Sequence, residues 1–373
     1  MADRNKRPLI SYQPWKLLFQ LAYVGTIVVR LPFWVVTALV RPLRPHPEWT
    51  AKQTFMVRVA YVLIDMDCRI LNTKSLSLKG EKEGDRFQCI KPQSLDRYKG
   101  PLESDNIKPG MVGGTWYPRA PTTDIASKLV VLYFHGGAFI RGDGRFDDAG
   151  FAANSWIERG GVDAVFSLQY RLSGYSDLNP FPAALQDALT SYLFLLEDLK
   201  IPARQIVLSG DSSGGNLAIA LLRYLQEFGA ELRIPAPRCT ALASPWVAPF
   251  KYKTISNNPN WLTDFIPTSF LRWGANAYAG RSLANPESHP YVTPLNNPFP
   301  APTPIFVSAG SAEVIVADIA RWAEEMGKQK DNVIELYYEN AACHDTLLLG
   351  GTLGFEESAW KVAAKMGDFV RKY

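Results

Sequence analysis

Two serines stand side by side in Gly210-Asp211-Ser212-Ser213-Gly214-Gly215-Asn216. A serine hydroxyl is a weak nucleophile. It needs a base to take its proton, and the base needs a carboxylate to orient it. The residues before this stretch, Arg204 to Ser209, read as a short buried strand. Those after it, Asn216 to Leu222, read as an apolar helix. A strand that becomes a helix within five residues must bend sharply. The residue at the apex is strained, and its neighbours two positions away must be nearly free of side chain. Gly210 and Gly214 flank Ser212 in that way, whereas the frame centred on Ser213 has Asp211 at its upstream flank. Ser212 is therefore the expected nucleophile, on a G-x-S-x-G elbow, and Ser213 begins the helix.

The chain has four histidines: His46, His135, His289 and His344. On a nucleophile elbow the base comes last in the chain, after the final strand. His344 occupies that position, behind Val333 to Tyr338 and a short loop. The carboxylate should follow an earlier strand end. Glu313 is the first one after the strand at 303–310, so it is the expected acid, with Asp318 as the alternative. Asp318 falls in the first turn of the next helix, where a carboxylate also interacts well with the helix dipole. A tetrahedral oxyanion needs N–H donors. Gly136, Gly137 and Ala138 follow the buried strand at 129–134 and can supply them, together with the backbone of Ser213. The doublet then divides its work: Ser212 offers a hydroxyl and Ser213 an amide. His135 is expected to support this loop.

Such groups need a rigid frame. From residue 129 onward, strands and helices alternate: strands at 129–134, 162–169, 206–209, 240–243, 304–308 and 333–338, helices at 182–196, 215–228, 317–327 and 356–372. Repeated βα units imply an α/β fold with a mostly parallel sheet covered on both faces. The rhythm stops between 246 and 302, in a stretch rich in Pro, Asn, Trp and Tyr that reads as a lid or cap. The expected organisation is an apolar segment at 1–45, edge strands and part of the cap at 46–128, core at 129–245, cap insertion at 246–302, and the rest of the core at 303–373. Thr50 is a candidate cap for a helix through Leu71.

These residues resemble the hormone-sensitive lipase family of α/β hydrolases, near its arylacetamide deacetylase-like and fungal esterase-like members. The matching stretches are His135-Gly136-Gly137-Ala138-Phe139, Tyr170-Arg171-Leu172, Phe181-Pro182-Ala183-Ala184-Leu185-Gln186-Asp187, the serine motif, Ser244-Pro245-Trp246, Glu313 and His344. They run in the family's order. Three positions depart from its usual pattern: Ala138 where glycine is usual, Ser213 where alanine is, and Glu313 where aspartate is. The resemblance implies an α/β-hydrolase fold with a helical cap, and hydrolysis of a carboxylic ester through an acyl-enzyme. A lactonase, amidase or acyl transferase would use the same residues. A non-catalytic ligand-binding member of the fold is a further alternative, since fold does not fix function, but the non-catalytic relatives have an altered triad, whereas all three residues stand here.

Residues 15–40, WKLLFQLAYVGTIVVRLPFWVVTALV, are apolar and flanked by basic residues, with Arg30 and Pro32 inside. Arg30 at the centre of a bilayer would cost roughly 2.5–3.5 kcal/mol. The segment is expected to lie in the membrane interface with Trp15 and Trp34 at headgroup level. A helix pair packed on the protein and a single span are the other readings. The expected location is membrane-associated, at the endoplasmic reticulum for example, with cytoplasmic as the alternative. Residues 1–50 hold seven Lys or Arg against two Asp or Glu, within a formal net charge of +4. The basic excess is therefore local and gives no case for nucleic acid. The four cysteines are scattered, so neither a disulfide framework nor a zinc site is expected. No nucleotide, flavin or metal motif follows a strand, so no cofactor is expected. The partner is then a hydrophobic small-molecule ester, such as an acetylated lipid, sterol or natural-product intermediate. Eight aromatic residues of the insertion (Trp246, Phe250, Tyr252, Trp261, Phe265, Phe270, Trp273 and Tyr278) are candidates to line its pocket.

Overall fold

The computed structural model describes residues 7–74 and 76–373. An eight-stranded sheet forms its frame: β1 (Phe87–Ile90), β2 (Val112–Tyr117), β3 (Val130–Phe134), β4 (Ala164–Gln169), β5 (Ile206–Asp211), β6 (Cys239–Ala243), β7 (Ile305–Gly310) and β8 (Ile334–Glu339). Their spatial order is β1-β2-β4-β3-β5-β6-β7-β8. β1 and β2 pair antiparallel with each other, and β2 pairs antiparallel with β4. Every other pairing is parallel. Strand β3 carries Val130, Leu132 and Phe134 on one face, Val131 and Tyr133 on the other, all fully buried. The period of two splits these residues between two cores. Leu132 packs with Leu208 and Leu242 on one face, Val131 with Val207 and Ala241 on the other. A strand with no polar face must be covered on both sides, as the sequence pattern required.

The helices are α1 (Trp15–Leu39), α2 (Ala51–Arg69), α3 (Phe146–Ser155), α4 (Ala183–Leu193), α5 (Ser212–Leu232), α6 (Thr268–Ala279), α7 (Val316–Gly327), α8 (Thr346–Leu353) and α9 (Glu356–Lys372). Thr50 caps α2 in a full capping box with Gln53. The alternation from residue 129 left three helices unread: α3, α6 and α8. Helix α6 lies inside the insertion, whose aromatic and proline-rich composition hid a 12-residue amphipathic helix.

Residues 15–39 form one helix, unbroken at Arg30 and Pro32. The Arg30 guanidinium turns back on its own helix, donating to Thr26 O at 2.9 Å and to Thr26 Oγ1 at 2.8 Å. That satisfies part of its polarity locally. The Tyr23 hydroxyl donates to Asp65 Oδ2 at 2.7 Å, and Lys16 Nζ donates to Asn72 Oδ1 at 3.3 Å. Partners that rise in number as α1 descends mean that α1 and α2 run antiparallel. Arg44 fixes the turn between them by donating to Ala38 O and Trp49 O. Trp34 is only 7% exposed. This corrects its expected place at the headgroups: it faces the protein, with the Arg30 guanidinium over its ring. The opposite side of α1 is open, with Val29 80% and Phe33 68% exposed.

Candidate active site

β5 ends at Asp211 and α5 begins at Ser212, whose φ is +49°. A non-glycine residue held there stores strain. The flanking glycines are steric necessities. A Cβ on Gly214 would lie 1.9 Å from Phe134 O, and one on Gly210 would lie 2.4 Å from Gly214 O. The apex is tied from outside, because Trp246 N donates to Ser212 O at 2.8 Å. Asn216 in turn holds the Trp246 and Val292 carbonyls at 2.8 and 2.9 Å.

Glu313 sits in the tight turn after β7, where Gly310 N donates to its Oε1 at 3.0 Å. Its Oε2 lies 2.5 Å from Nδ1 of His344. Glu313 is fully buried and His344 is 3% exposed. Removal from water pushes the glutamate carboxyl up and the imidazole down. The Gly310 amide and the Ser244 hydroxyl oppose the shift at Glu313 by bonding its charged form. The alternative acid is engaged elsewhere: Asp318 lies in the first turn of α7 and pairs with Lys251 Nζ at 2.5 Å. His46 lies beside the Trp49 ring and His289 packs edge-on against Phe181, so both serve packing.

Ser212 and His344 line one cavity of about 570 Å³, together with His135, Gly136 and Gly137. The loop carrying those glycines turns through left-handed backbone: φ is +111° at Gly137, +52° at Ala138 and +62° at Phe139. Among the described residues, the Gly137 and Ala138 N–H groups carry no hydrogen bond. The Ser213 N–H, in the first turn of α5, has no intrahelical acceptor. Ser213 contributes its side chain as well, since Phe139 N donates to Ser213 Oγ at 3.2 Å. Ala138 rests against Gly274 of α6, where a Cβ would fall 2.5 Å from Ala138 O. His135 is buried and stacks on Tyr170 at 4.3 Å, its Nδ1 facing Gly136 O at 2.7 Å. Tyr170 also donates to His135 O at 2.8 Å. Burial pushes the His135 imidazole down, so it stays neutral.

Three contributors were not singled out as site residues in the sequence, although Ser244 stood in one of the matching stretches. Asp264, in the insertion, accepts from Phe265 N and Val314 N at 2.8 Å each and from His344 N at 3.3 Å. It therefore joins the insertion to the loops of both Glu313 and His344. Burial raises its pKa to about 6. Ser244 accepts from Asp345 N at 3.2 Å while its hydroxyl serves Glu313. Ile64 of α2 lines the cavity together with Phe265 and Phe270. Of the eight insertion aromatics, only these two phenylalanines line the cavity. Trp246, Phe250, Tyr252, Trp273 and Tyr278 pack in or against the core, and Trp261 is exposed. The remaining wall includes Phe146, Phe151, Leu348 and Leu349, with Arg141, Asp147, Asp148 and Asn154 as polar members. No cluster able to hold a metal ion occurs among the described residues.

A fold of this strand order, with a serine on the turn after β5 and a histidine after β8, defines an α/β hydrolase. Residues 131–348 match the family model of the alpha/beta hydrolase fold, and the chain belongs to that family. It is 32% identical over 190 residues to an acetyl-hydrolase of Streptomyces hygroscopicus, covering 50% of this chain and 58% of that one. It is 36% identical over 104 residues to human arylacetamide deacetylase-like 2, covering 26% of this chain and 25% of that one. With human hormone-sensitive lipase it shares 26% over 180 residues, 46% of this chain and 15% of that one. The chain thus spans less than two thirds of these curated relatives. Among solved structures, an esterase from the bacterial hormone-sensitive lipase family superimposes with a TM-score of 0.59 at 20% identity, over 85% of this chain and 97% of the other.

Proposed function

We propose that this protein is a serine carboxylic-ester hydrolase acting on a hydrophobic ester. The observation that carries this reading is a strained serine sharing a cavity with a histidine that is bonded to a buried glutamate. Ser212 attacks the ester carbonyl while His344 takes its proton. Glu313 holds Nδ1–H of His344 and stabilises the imidazolium that forms. The amides of Gly137, Ala138 and Ser213 receive the oxyanion, each donor being worth roughly 3–4 kcal/mol of barrier. His344 then protonates the leaving alcohol. Water attacks the acyl-enzyme by the same route reversed. A neutral imidazole is what a general base requires, and the burial of His344 favours it.

The apolar wall of Phe146, Phe151, Phe265, Phe270, Leu348 and Leu349 supports a bulky apolar substrate with few charges. Acetyl esters of lipids, sterols or natural products fit this description. Helix α2 and residues 246–302 serve as the cap, since Ile64, Phe265 and Phe270 enclose the cavity from that side. The open face of α1 suits a membrane surface: it is long, apolar and bound to the body along its other face.

The test compares native protein with Ser212→Ala on short-acyl chromogenic esters of increasing alcohol size, alongside labelling by a fluorophosphonate. Hydrolysis that needs Ser212 and rises with apolar bulk supports the reading. Activity that survives Ser212→Ala, or a preference for small charged esters, overturns it.

A further inference from the structure

The residue before the nucleophile and the residue after the histidine are both aspartates, and both are buried. Asp211 closes β5 and Asp345 caps α8. Asp345 has φ of +52°, and its Oδ1 accepts from Leu348 N at 3.2 Å. Its own N–H is bound to Ser244 Oγ. Its carboxyl lies in hydrogen-bond contact with that of Asp211. The Tyr133 hydroxyl donates to Asp211 Oδ1. Asp211 Oδ2 has no donor at all among the described groups, although it is sealed from solvent. Two adjacent carboxylates cannot both be charged in a dry site, and a buried acceptor without a donor is destabilising. One proton placed on Asp345 and aimed at Asp211 Oδ2 resolves both problems.

We propose that Asp211 and Asp345 share a single proton and act as a clip that fastens the nucleophile turn to the histidine loop. The role follows from the hydrolase reading above. Asp345 is a positioning residue: it acts through Ser212 and His344, each its neighbour or its partner's neighbour in sequence. The other groups facing the pair are Tyr133 from β3, His135 and Tyr170 near the oxyanion loop, and His344 and Glu313 from the last two loops. The tyrosines and both imidazoles are held neutral by burial, so no fixed cation is available to stabilise a second charge. Burial and the Asp211 charge both push the Asp345 carboxyl up. Both effects favour the protonated form, and loss of the proton at higher pH opens the clip.

The experiment uses the full chain with Asp345→Asn and Asp345→Ala. Asparagine keeps a donor toward Asp211 and cannot titrate, whereas alanine has neither property. Asp345→Ala is expected to lose about 10-fold or more in kcat at all pH, by the loss of one buried hydrogen bond at the site. Asp345→Asn is expected to recover most of that loss and, unlike the native chain, to hold its kcat as pH rises through the alkaline range. An asparagine variant as poor as the alanine one, or one with the native alkaline limb, would overturn the clip. Infrared difference spectra of native minus Asp345→Asn give a readout independent of turnover and of whether the alanine variant folds. A protonated-carboxyl stretch at neutral pH supports the shared proton, and its absence refutes it. If that band is present while no ester is hydrolysed, the hydrolase reading fails and the clip survives.

Discussion

Ser212→Ala removes the proposed nucleophile and is expected to lower kcat by about 10⁴–10⁶. The neighbouring serine is the finer case. Ser213 Oγ takes the N–H of Phe139, in a loop whose alanine and phenylalanine both stand at positive φ. Without that acceptor the Phe139 amide is buried unpaired, at about 1–3 kcal/mol. Ser213→Ala is therefore expected to lose about 10-fold in kcat with little change in KM, far less than Ser212→Ala. The acid can be separated in the same assay. Glu313→Gln should cost about 10²–10⁴ in kcat, because its Oε2 partner His344 loses its orientation. Asp318→Asn should stay near native, because its partner is Lys251. A large loss in Asp318→Asn with Glu313→Gln near native would reverse the assignment. The sequence made Ser212 and His344 legible through glycine spacing and chain order. It placed Glu313 ahead of Asp318 as the first carboxylate after the strand and kept Asp318 as the alternative, since the choice depends on which one the turn after β7 points inward. Asp264 was illegible altogether, because nothing local marks a loop aspartate whose three partners lie at 265, 314 and 344.

At the scale of elements, the βα alternation was legible because buried parallel strands need unbroken apolar runs, as in β3 and β5. Helices α3, α6 and α8 were not, since tertiary packing and not local pattern holds them. In α8 the apolar residues form no clear stripe: Leu347 is buried, and Leu348 and Leu349 turn toward the cavity. Helix α6 shows how one element sets another. Gly274 leaves room for Ala138, so the helix and the oxyanion loop fit only with a side chain on one of them. Gly274→Ala places a Cβ 2.5 Å from the Ala138 carbonyl oxygen. It is expected to cost about 1–3 kcal/mol of stability and to lower kcat by displacing the Ala138 amide. Thermal unfolding and kinetics read the two effects. Unchanged kcat alongside a lower Tm would mean that the loop does not hold the donor. Helix α1 offers a separate test. Val29→Glu with Phe33→Glu charges its open face without touching the Trp34 contact. Flotation with phosphatidylcholine vesicles should then fall sharply, while hydrolysis of a soluble ester stays unchanged. Equal flotation would remove the membrane from the picture of this helix.

Across the whole molecule, several carboxyls are buried in and around the site. Burial raises Glu339 to about 7 and Asp264 to about 6, and lifts Asp345 well above the ordinary range. A carboxyl raised in the folded state binds a proton that the unfolded chain has already released. Stability therefore falls as pH rises from about 4 toward each folded value. His135, His289 and His344 act in the opposite sense. Their folded values are lowered, so stability rises with pH until the unfolded imidazoles are neutral near about 6.5. The two trends oppose each other below that point, and above it only the carboxyls act. Tm is expected to fall between about pH 6.5 and pH 8, where only the raised carboxyls act. Glu339 supplies a clean probe, since it lies off the cavity and accepts from Thr346 and from Ser358 at 2.8 Å through one oxygen. Glutamine keeps that oxygen and cannot ionise. Glu339→Gln should raise Tm at pH 8 and leave it nearly unchanged at pH 5, where the native side chain already holds its proton. A gain at both values would mean that packing, not ionisation, sets the difference. A loss at both would mean that Glu339 is held charged by partners stronger than its two hydroxyls.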